Sequence, residues 1–334
     1  MSVYFKNFEI ENFKGIQKLS LRNLASINFI LGDNNTGKTT IMEAISAIQY
    51  PTEIENYCKI LRCLFDNKVT LRHFKEFLPY PFSPTNNTFT YSFINDFDDK
   101  FKIVVSLMFK NFGKDEGVLV QIYKNENLEH EVFLEKFPVY MTSVQSLFKY
   151  HLIKPKYYLN EFDIHYNDEI NHSLVLNDLD VKNVLLSILQ RNDEGVEDIY
   201  ISKSDNIMIK TSRTRMNINC MGNGFISIID TFARIMNAKN GVLLLENWDY
   251  SLSYENKKIV LPFIKKLVEK YNVQLFLSTY DQETMEIFLD KETGYLEDIS
   301  IYTLRKHDNK NYVRCLNGVE ASADIEVFNL NLLY

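Results

Sequence analysis

The run Gly32-Asp33-Asn34-Asn35-Thr36-Gly37-Lys38-Thr39 satisfies the pattern G-x-x-x-x-G-K-[ST] at every position. Each position has a chemical reason. The two glycines let the backbone curl, so that successive N–H groups turn toward one point and can cradle phosphate oxygens. A helix beginning at the end of the loop adds the partial positive charge of its N-terminus. Lys38 brings a point charge to the β- and γ-phosphates, and the Thr39 hydroxyl is a ligand for Mg²⁺. Gly32, Asn34, Asn35, Thr36, Gly37, Lys38, Thr39 and the adjoining Thr40 are therefore the expected nucleotide-binding set.

Such a loop works only between a strand and a helix, and the flanking sequence supplies both. Ile27 to Leu31 is a short apolar run ending at Gly32, suited to a buried strand. From Gly37 onward, Ile41, Ala44, Ile45 and Ile48 fall on one helical face, and Pro51 stops the helix. Upstream, Phe8 to Asn12 and Leu19 to Leu21 read as paired strands. In the middle, Ile60 to Phe77 reads as helix and the Pro79–Pro84 segment as a turn. Thr88 to Ile94, Lys102 to Phe109 and Val118 to Tyr123 then form a meander. The last 160 or so residues alternate: helix at Leu179 to Gln190, two strands within Glu197 to Thr211, helix at Gly224 to Lys239, strand at Val242 to Glu246, helix at Asn256 to Tyr271, strand at Val273 to Thr279, and closing strands at Ile299 to Leu304 and Tyr312 to Leu316. Alternation of this kind predicts an α/β fold with a parallel sheet covered on both faces. One domain is expected, with 1–50 and 172–334 as the nucleotide-binding core and about 51–171 as an inserted antiparallel β/helical lobe.

Composition narrows the function classes. The chain has 334 residues, 46% hydrophobic and 24% charged, which permits a large core and argues against disorder. A net charge of −7 argues against a uniformly basic nucleic-acid surface, though not against a local basic groove. Cys58, Cys63, Cys220 and Cys315 lack the paired spacing of a zinc site and read as reduced, mostly buried thiols. The N-terminus has no apolar h-region, and no stretch of about 18 apolar residues occurs, so a cytoplasmic chain with no membrane partner is expected. The six histidines are scattered; His165 with Asp163 and Asp168 reads as a loop, not a metal site. Arg213 and Arg215 read as a solvated strand edge, with phosphate or partner contact as the alternative.

A P-loop this close to the N-terminus, preceded by Glu9-Ile10-Glu11-Asn12-Phe13-Lys14-Gly15, resembles the SMC/RecF branch of ABC ATPases. More narrowly, it resembles the small bacterial ATPases of that branch associated with toxin, overcoming-lysogenization or anti-phage partners. The resemblance resumes at Met221-Gly222-Asn223-Gly224-Phe225, at Gly241 to Glu246 and at Gln274 to Tyr280, and is weak between Pro51 and about Phe137. It implies a P-loop ABC-type ATPase head with a mixed sheet covered by helices, binding ATP with Mg²⁺. It places Lys14 near the nucleotide phosphates. It also implies that Gly222, Asn223 and Gly224 form the signature that meets the γ-phosphate on a second copy, so that ATP joins a head-to-tail homodimer. An ordinary turn before a core helix is the competing reading of that segment. Its position, about 20 residues before the Walker B-like strand, favours the signature.

The departures from the family pattern concern hydrolysis. The family ends its Walker B strand with Asp then Glu; here these positions hold Glu246 and Asn247. Glu246 keeps the charge on a longer arm and is the expected Mg²⁺ partner of Thr39. Asn247 cannot accept a proton as a carboxylate does, and such help is worth roughly 10²–10⁴-fold. The switch histidine is replaced by Tyr280. Asp249 is a possible substitute base, by the weaker argument of its position. The catalytic positions Glu246, Asn247 and Tyr280 therefore predict slow or absent hydrolysis. Two functions are weighed. One is an ATP-gated dimeric sensor or scaffold for a separate effector, a nuclease or toxin, in a bacterial defence system. The other is a hydrolysing RecF-like DNA-repair ATPase, in which DNA is a possible partner.

Overall fold

In the computed structural model, the residues described are 3–48, 68–69, 87–109, 116–134, 139–140, 164–165, 172–203, 206–246, 248–249, 251–290, 296–308, 310–328 and 332. Most of the helix expected at 60–77, the proline turn at 79–84, and Cys58, Cys63, Asp163, Asp168 and Asn247 lie outside them. Within that expected helix, Lys68 and Val69 instead form a short strand, because they pair with Tyr140 and Val139.

The chain opens with β1 (Phe5–Phe13), β2 (Ile16–Leu21) and β3 (Ile27–Gly32), then α1 (Lys38–Ala47). The middle contributes β4 (Lys68–Val69), β5 (Thr88–Asn95), β6 (Lys100–Phe109), β7 (Glu116–Lys124), β8 (Asn127–Leu134), β9 (Val139–Tyr140) and β10 (Ile164–His165). There follow α2 (Ser173–Asn177), α3 (Leu179–Asn192), β11 (Val196–Ile201), β12 (Ile207–Thr211) and β13 (Arg215–Asn217). The remainder runs α4 (Asn223–Asn237), β14 (Val242–Glu246), α5 (Tyr254–Tyr271), β15 (Gln274–Ser278), α6 (Gln282–Phe288), β16 (Ile299–His307), β17 (Lys310–Asn317) and α7 (Gly318–Phe328).

Two six-stranded sheets organise these elements. One has the order β2-β1-β5-β6-β7-β8 and is antiparallel throughout. The meander expected in the middle of the chain thus extends the hairpin made by β1 and β2. The other has the order β10-β14-β15-β3-β16-β17, parallel except for the last pair. His165, expected in a loop, lies in the short edge strand β10, because Ile164 and His165 pair with Val242 and Leu243.

The central strands carry apolar residues on both faces because both faces are covered. Alternate residues belong to different cores. Ile30, Val242, Leu244 and Phe276 pack with α1 and with Phe8, Ile10, Tyr91 and Val105 of the antiparallel sheet. Phe29, Leu31, Leu243, Leu245, Leu275 and Leu277 pack on the opposite side with residues of α3, α4, α5 and α6. The helix α1 is therefore held between the two sheets, and its start is fixed on both sides.

Two buried amides are used here: Gln274 joins the two sheets, and Asn28 fixes the chain entering β3. Gln274 Nε2 donates to the Phe5 and Ala25 carbonyls at 2.9 and 3.0 Å, and the Phe5 N–H donates to Gln274 Oε1 at 2.8 Å. Asn28 Nδ2 donates to the Ala25 carbonyl at 2.7 Å, and Ala25 N–H donates back to Asn28 Oδ1 at 2.9 Å. A polar residue inside an apolar strand is tolerated here because its amide oxygen and nitrogen are matched by backbone partners.

The thiols correct one sequence expectation: of the cysteines described, Cys220 and Cys315 are both free and exposed, not buried. Cys220 ends a 3₁₀ turn (Ile218–Cys220), and Cys315 belongs to β17, the outermost strand of its sheet. Among the described residues no helix is long and apolar enough to cross a membrane.

Candidate phosphate-binding pocket

The strand β3 ends at Gly32, whose φ of 140° lies where only glycine is at ease. A Cβ there would also stand 2.6 Å from the Leu304 carbonyl oxygen and 2.8 Å from Thr36 Oγ1. Gly37, at φ 108°, caps α1 without a side chain. Both glycines of the P-loop pattern are thus required by backbone geometry. The loop is closed by Thr36 Oγ1 donating to the Asp33 carbonyl at 2.8 Å.

Lys38, 9% exposed, folds back on this loop and donates to the Gly32 and Asp33 carbonyls at 2.5 and 2.9 Å. Burial pulls its pKa below the usual lysine value, partly offset by the charges of Asp33 and Glu246. An arriving anion would favour the charged ammonium further.

Around the loop lies a cavity of about 580 Å³, lined by Gly15, Ile16, Asn34, Asn35, Thr36, Gly37, Lys38, Thr39, Thr40, Lys306 and Asn311. Among the described residues two lysines line it and no carboxylate does. Seven sequence-predicted residues, Asn34 to Thr40, converge there, with Gly32 beneath them. The donor set of backbone N–H groups, hydroxyls and ammonium ions fits a polyphosphate.

The other predicted residues are placed as follows. Lys14 sits in the tight turn between β1 and β2 at φ 51° and donates to Glu43 Oε2 of α1 at 2.5 Å, while its neighbour Gly15 lines the cavity. Glu246 ends β14, opposite Ser278 in the parallel register, and its charge acts on Lys38. Asn247, immediately after it, lies outside the described residues. Tyr280 is 47% exposed just past the end of β15 and does not line the cavity. Gly222, Asn223 and Gly224 open α4 at the surface and do not line it either. The start of that helix is open: a Cβ at Gly222 would meet nothing within 4 Å. At Gly224 a Cβ would lie 2.7 Å from the Ser251 carbonyl oxygen, so glycine there admits the chain that follows β14. Arg213 and Arg215 are exposed on the small β11-β12-β13 sheet and its connecting turn.

Asp249 is 4% exposed, and its Oδ2 accepts from Thr279 Oγ1 at 2.6 Å and Thr284 Oγ1 at 2.8 Å. Thr284 also bonds Asp281, which pairs with Lys257. Burial raises the Asp249 pKa, opposed by the two threonine hydroxyls. This carboxylate is engaged in joining two loops and does not line the cavity.

Sequence reasoning missed Gly15, Ile16, Lys306 and Asn311 as lining residues. Gly15 and Ile16 adjoin Lys14 and were within reach. Nothing in the spacing of Lys306 and Asn311 ties them to the P-loop; only the register of β16 on β3 does.

Comparison with solved structures gives the fold. The SMC head domain from Thermotoga maritima superposes with a TM-score of 0.50 at 13% identity, covering 94% of this chain and 100% of that one. An Smc head bound to the C-winged helix domain of ScpA gives 0.53 at 14%, covering 96% and 99%. An Smc head from Pyrococcus furiosus with an extended coiled coil, bound to the C-terminal domain of ScpA, gives 0.52 at 11%, covering 98% and 100%. The chain thus has the fold of an SMC head, an ABC-type ATPase fold. In sequence, an uncharacterized protein of Methanocaldococcus jannaschii is 41% identical over 58 residues, 17% of this chain and 26% of that relative. No family model matches the chain.

Proposed function

We propose that this chain is an ATP-binding protein of the ABC type that assembles head to tail on ATP and hydrolyses it slowly or not at all. The observation that carries the reading is the cavity at the P-loop: two lysines, the N-terminus of α1 and, among the described residues, no carboxylate converge on one space. ATP fits there by charge and donor chemistry. Lys38 exchanges its two carbonyl partners for the β- and γ-phosphate oxygens. Thr39 and Glu246 would hold Mg²⁺ together with those phosphates, the ion supplying charge neutralisation between them. Among the described residues no group of three His, Cys, Asp or Glu gathers as a metal site, so the ion would depend on the phosphates for most of its shell.

Two features support slow turnover. Asn247 stands at the expected base position, and Asp249, the nearby candidate to replace it, is buried against Thr279 and Thr284. Assembly is supported by separation: the surface start of α4 at Gly222 is open, and it lines no part of the chain's own cavity. That is the arrangement expected if it serves the nucleotide of a second copy. A long-lived ATP-bound dimer would suit a sensor or scaffold for a separate effector, a nuclease or toxin, in bacterial anti-phage or toxin systems. The direct test is ATP affinity of wild type against Lys38→Ala. Micromolar-range binding lost in the variant supports the reading; equal affinity sinks it.

A further inference from the structure

The parallel register carries β16 past the end of its neighbour. Leu304 lies opposite Gly32, the last residue of β3, while β16 continues through Arg305 and Lys306 to His307. These last residues run beside the P-loop, past the end of β3, with β17 paired along their other edge. Side chains alternate along a strand, so Leu304 and Lys306 share a face. The Leu304 Cβ would lie 3.2 Å from a Cβ at Gly32, so that face looks onto the loop. Across the hairpin, Lys306 pairs with Asn311, whose amide donates to the Thr36 carbonyl at 3.0 Å. Lys306 Nζ itself comes within 4.0 Å of where a Gly15 Cβ would stand.

A lysine near a hairpin tip is ordinarily a solvated charge. Here, however, its cross-strand partner is bonded to the P-loop and both side chains line the cavity that holds Lys38. Two ammonium groups around a space that no carboxylate among the described residues lines repel one another until an anion fills it. Lys38 is buried at the floor, and Lys306 is exposed at the rim.

We propose that Lys306 is a second phosphate-binding cation of this pocket, meeting the polyphosphate of a bound nucleotide from the rim while Lys38 meets it from the floor. The β16–β17 hairpin then forms one wall of the site, held to the P-loop by Asn311. This inference rests on the nucleotide-binding reading and refines it.

The test is a titration of the full chain with ATP and, separately, with inorganic tripolyphosphate, comparing wild type, Lys306→Gln, Lys306→Arg and Lys38→Ala. A lost charge-assisted contact should weaken both ligands on the order of tenfold in Lys306→Gln. Lys306→Arg should stay within about threefold, because the charge remains. Ligand-free thermal stability of Lys306→Gln should match wild type, since the residue is exposed. If Lys306→Gln binds ATP as wild type does while Lys38→Ala does not, this inference falls and the nucleotide reading stands. If ATP weakens but tripolyphosphate does not, the lysine meets the nucleoside, and the inference also falls. If wild type binds tripolyphosphate but not ATP, the nucleotide reading falls.

Discussion

The Thr279 hydroxyl donates to the Asp249 carboxylate at 2.6 Å with both residues out of solvent, Thr279 at 0% and Asp249 at 4% exposure. This bond joins the segment after β14, which follows the acidic end of the sheet, to the segment after β15, which carries Tyr280. Thr284 at the start of α6 adds a second hydroxyl to the same oxygen at 2.8 Å. The relation between the two loops is therefore set by a carboxylate with assigned partners.

Asp249→Ala removes the acceptor from two buried hydroxyls. Thr284 keeps its bond to Asp281, and Thr279 Oγ1 still accepts from the Asp281 N–H at 3.0 Å, so the loss is partial. Stability should fall by about 2 kcal/mol in chemical denaturation. Asp249→Asn, which keeps an acceptor without a buried charge, should lose markedly less. Equal stability of all three would remove the structural role assigned to this residue.

Lys265 gives a pH signature. It is 1% exposed, donates to the Phe288 carbonyl, and burial lowers its pKa from 10.5 to about 8. In the unfolded chain it holds its proton up to about pH 10.4, so between these values the unfolded state binds more protons and stability rises with pH. Relative to Lys265→Met, wild type should gain on the order of 2 kcal/mol between pH 7 and 9.5. A flat difference between the two proteins over that range would contradict the assigned burial effect.

Two glycines two residues apart should separate packing from association. Gly224→Ala places a methyl 2.7 Å from the Ser251 carbonyl oxygen and should destabilise the fold by roughly 1–3 kcal/mol. Gly222→Ala meets no atom within 4 Å and should leave the melting temperature of the isolated chain unchanged. If α4 serves a partner's phosphate, the same substitution should still reduce ATP-dependent assembly, measured by mass in solution. A Gly222→Ala protein that assembles normally would return this segment to an ordinary helix start.

Much of the frame was legible because its signals are local. The apolar run before Gly32 becomes β3, buried along its whole length, and the meander read at 88–123 becomes β5, β6 and β7. The loop at 32–39 forms the cavity floor because its pattern encodes its own backbone geometry. What sequence could not supply was long-range register. The closing strand was expected to stop at Leu304, yet it runs to His307 because Tyr312 to Lys310 pair with its last residues. That overrun carries Lys306 to the pocket. In the same way, the Asp249 side chain gave no sign of its partners 30 and 35 residues away. Lys14, expected at the phosphates, is held by Glu43, a carboxylate one helix away whose inward direction no spacing rule revealed.

The central claim is a nucleotide pocket that binds and assembles without efficient turnover. Its most direct test is ATP turnover by wild type, Lys38→Ala and Asn247→Glu, with solution mass measured in the presence and absence of ATP. The account predicts that wild type binds ATP and doubles in mass with little turnover, that Lys38→Ala does neither, and that Asn247→Glu gains turnover by roughly 10²-fold or more. Brisk hydrolysis by wild type that Lys38→Ala abolishes would contradict it and identify a cycling ATPase instead.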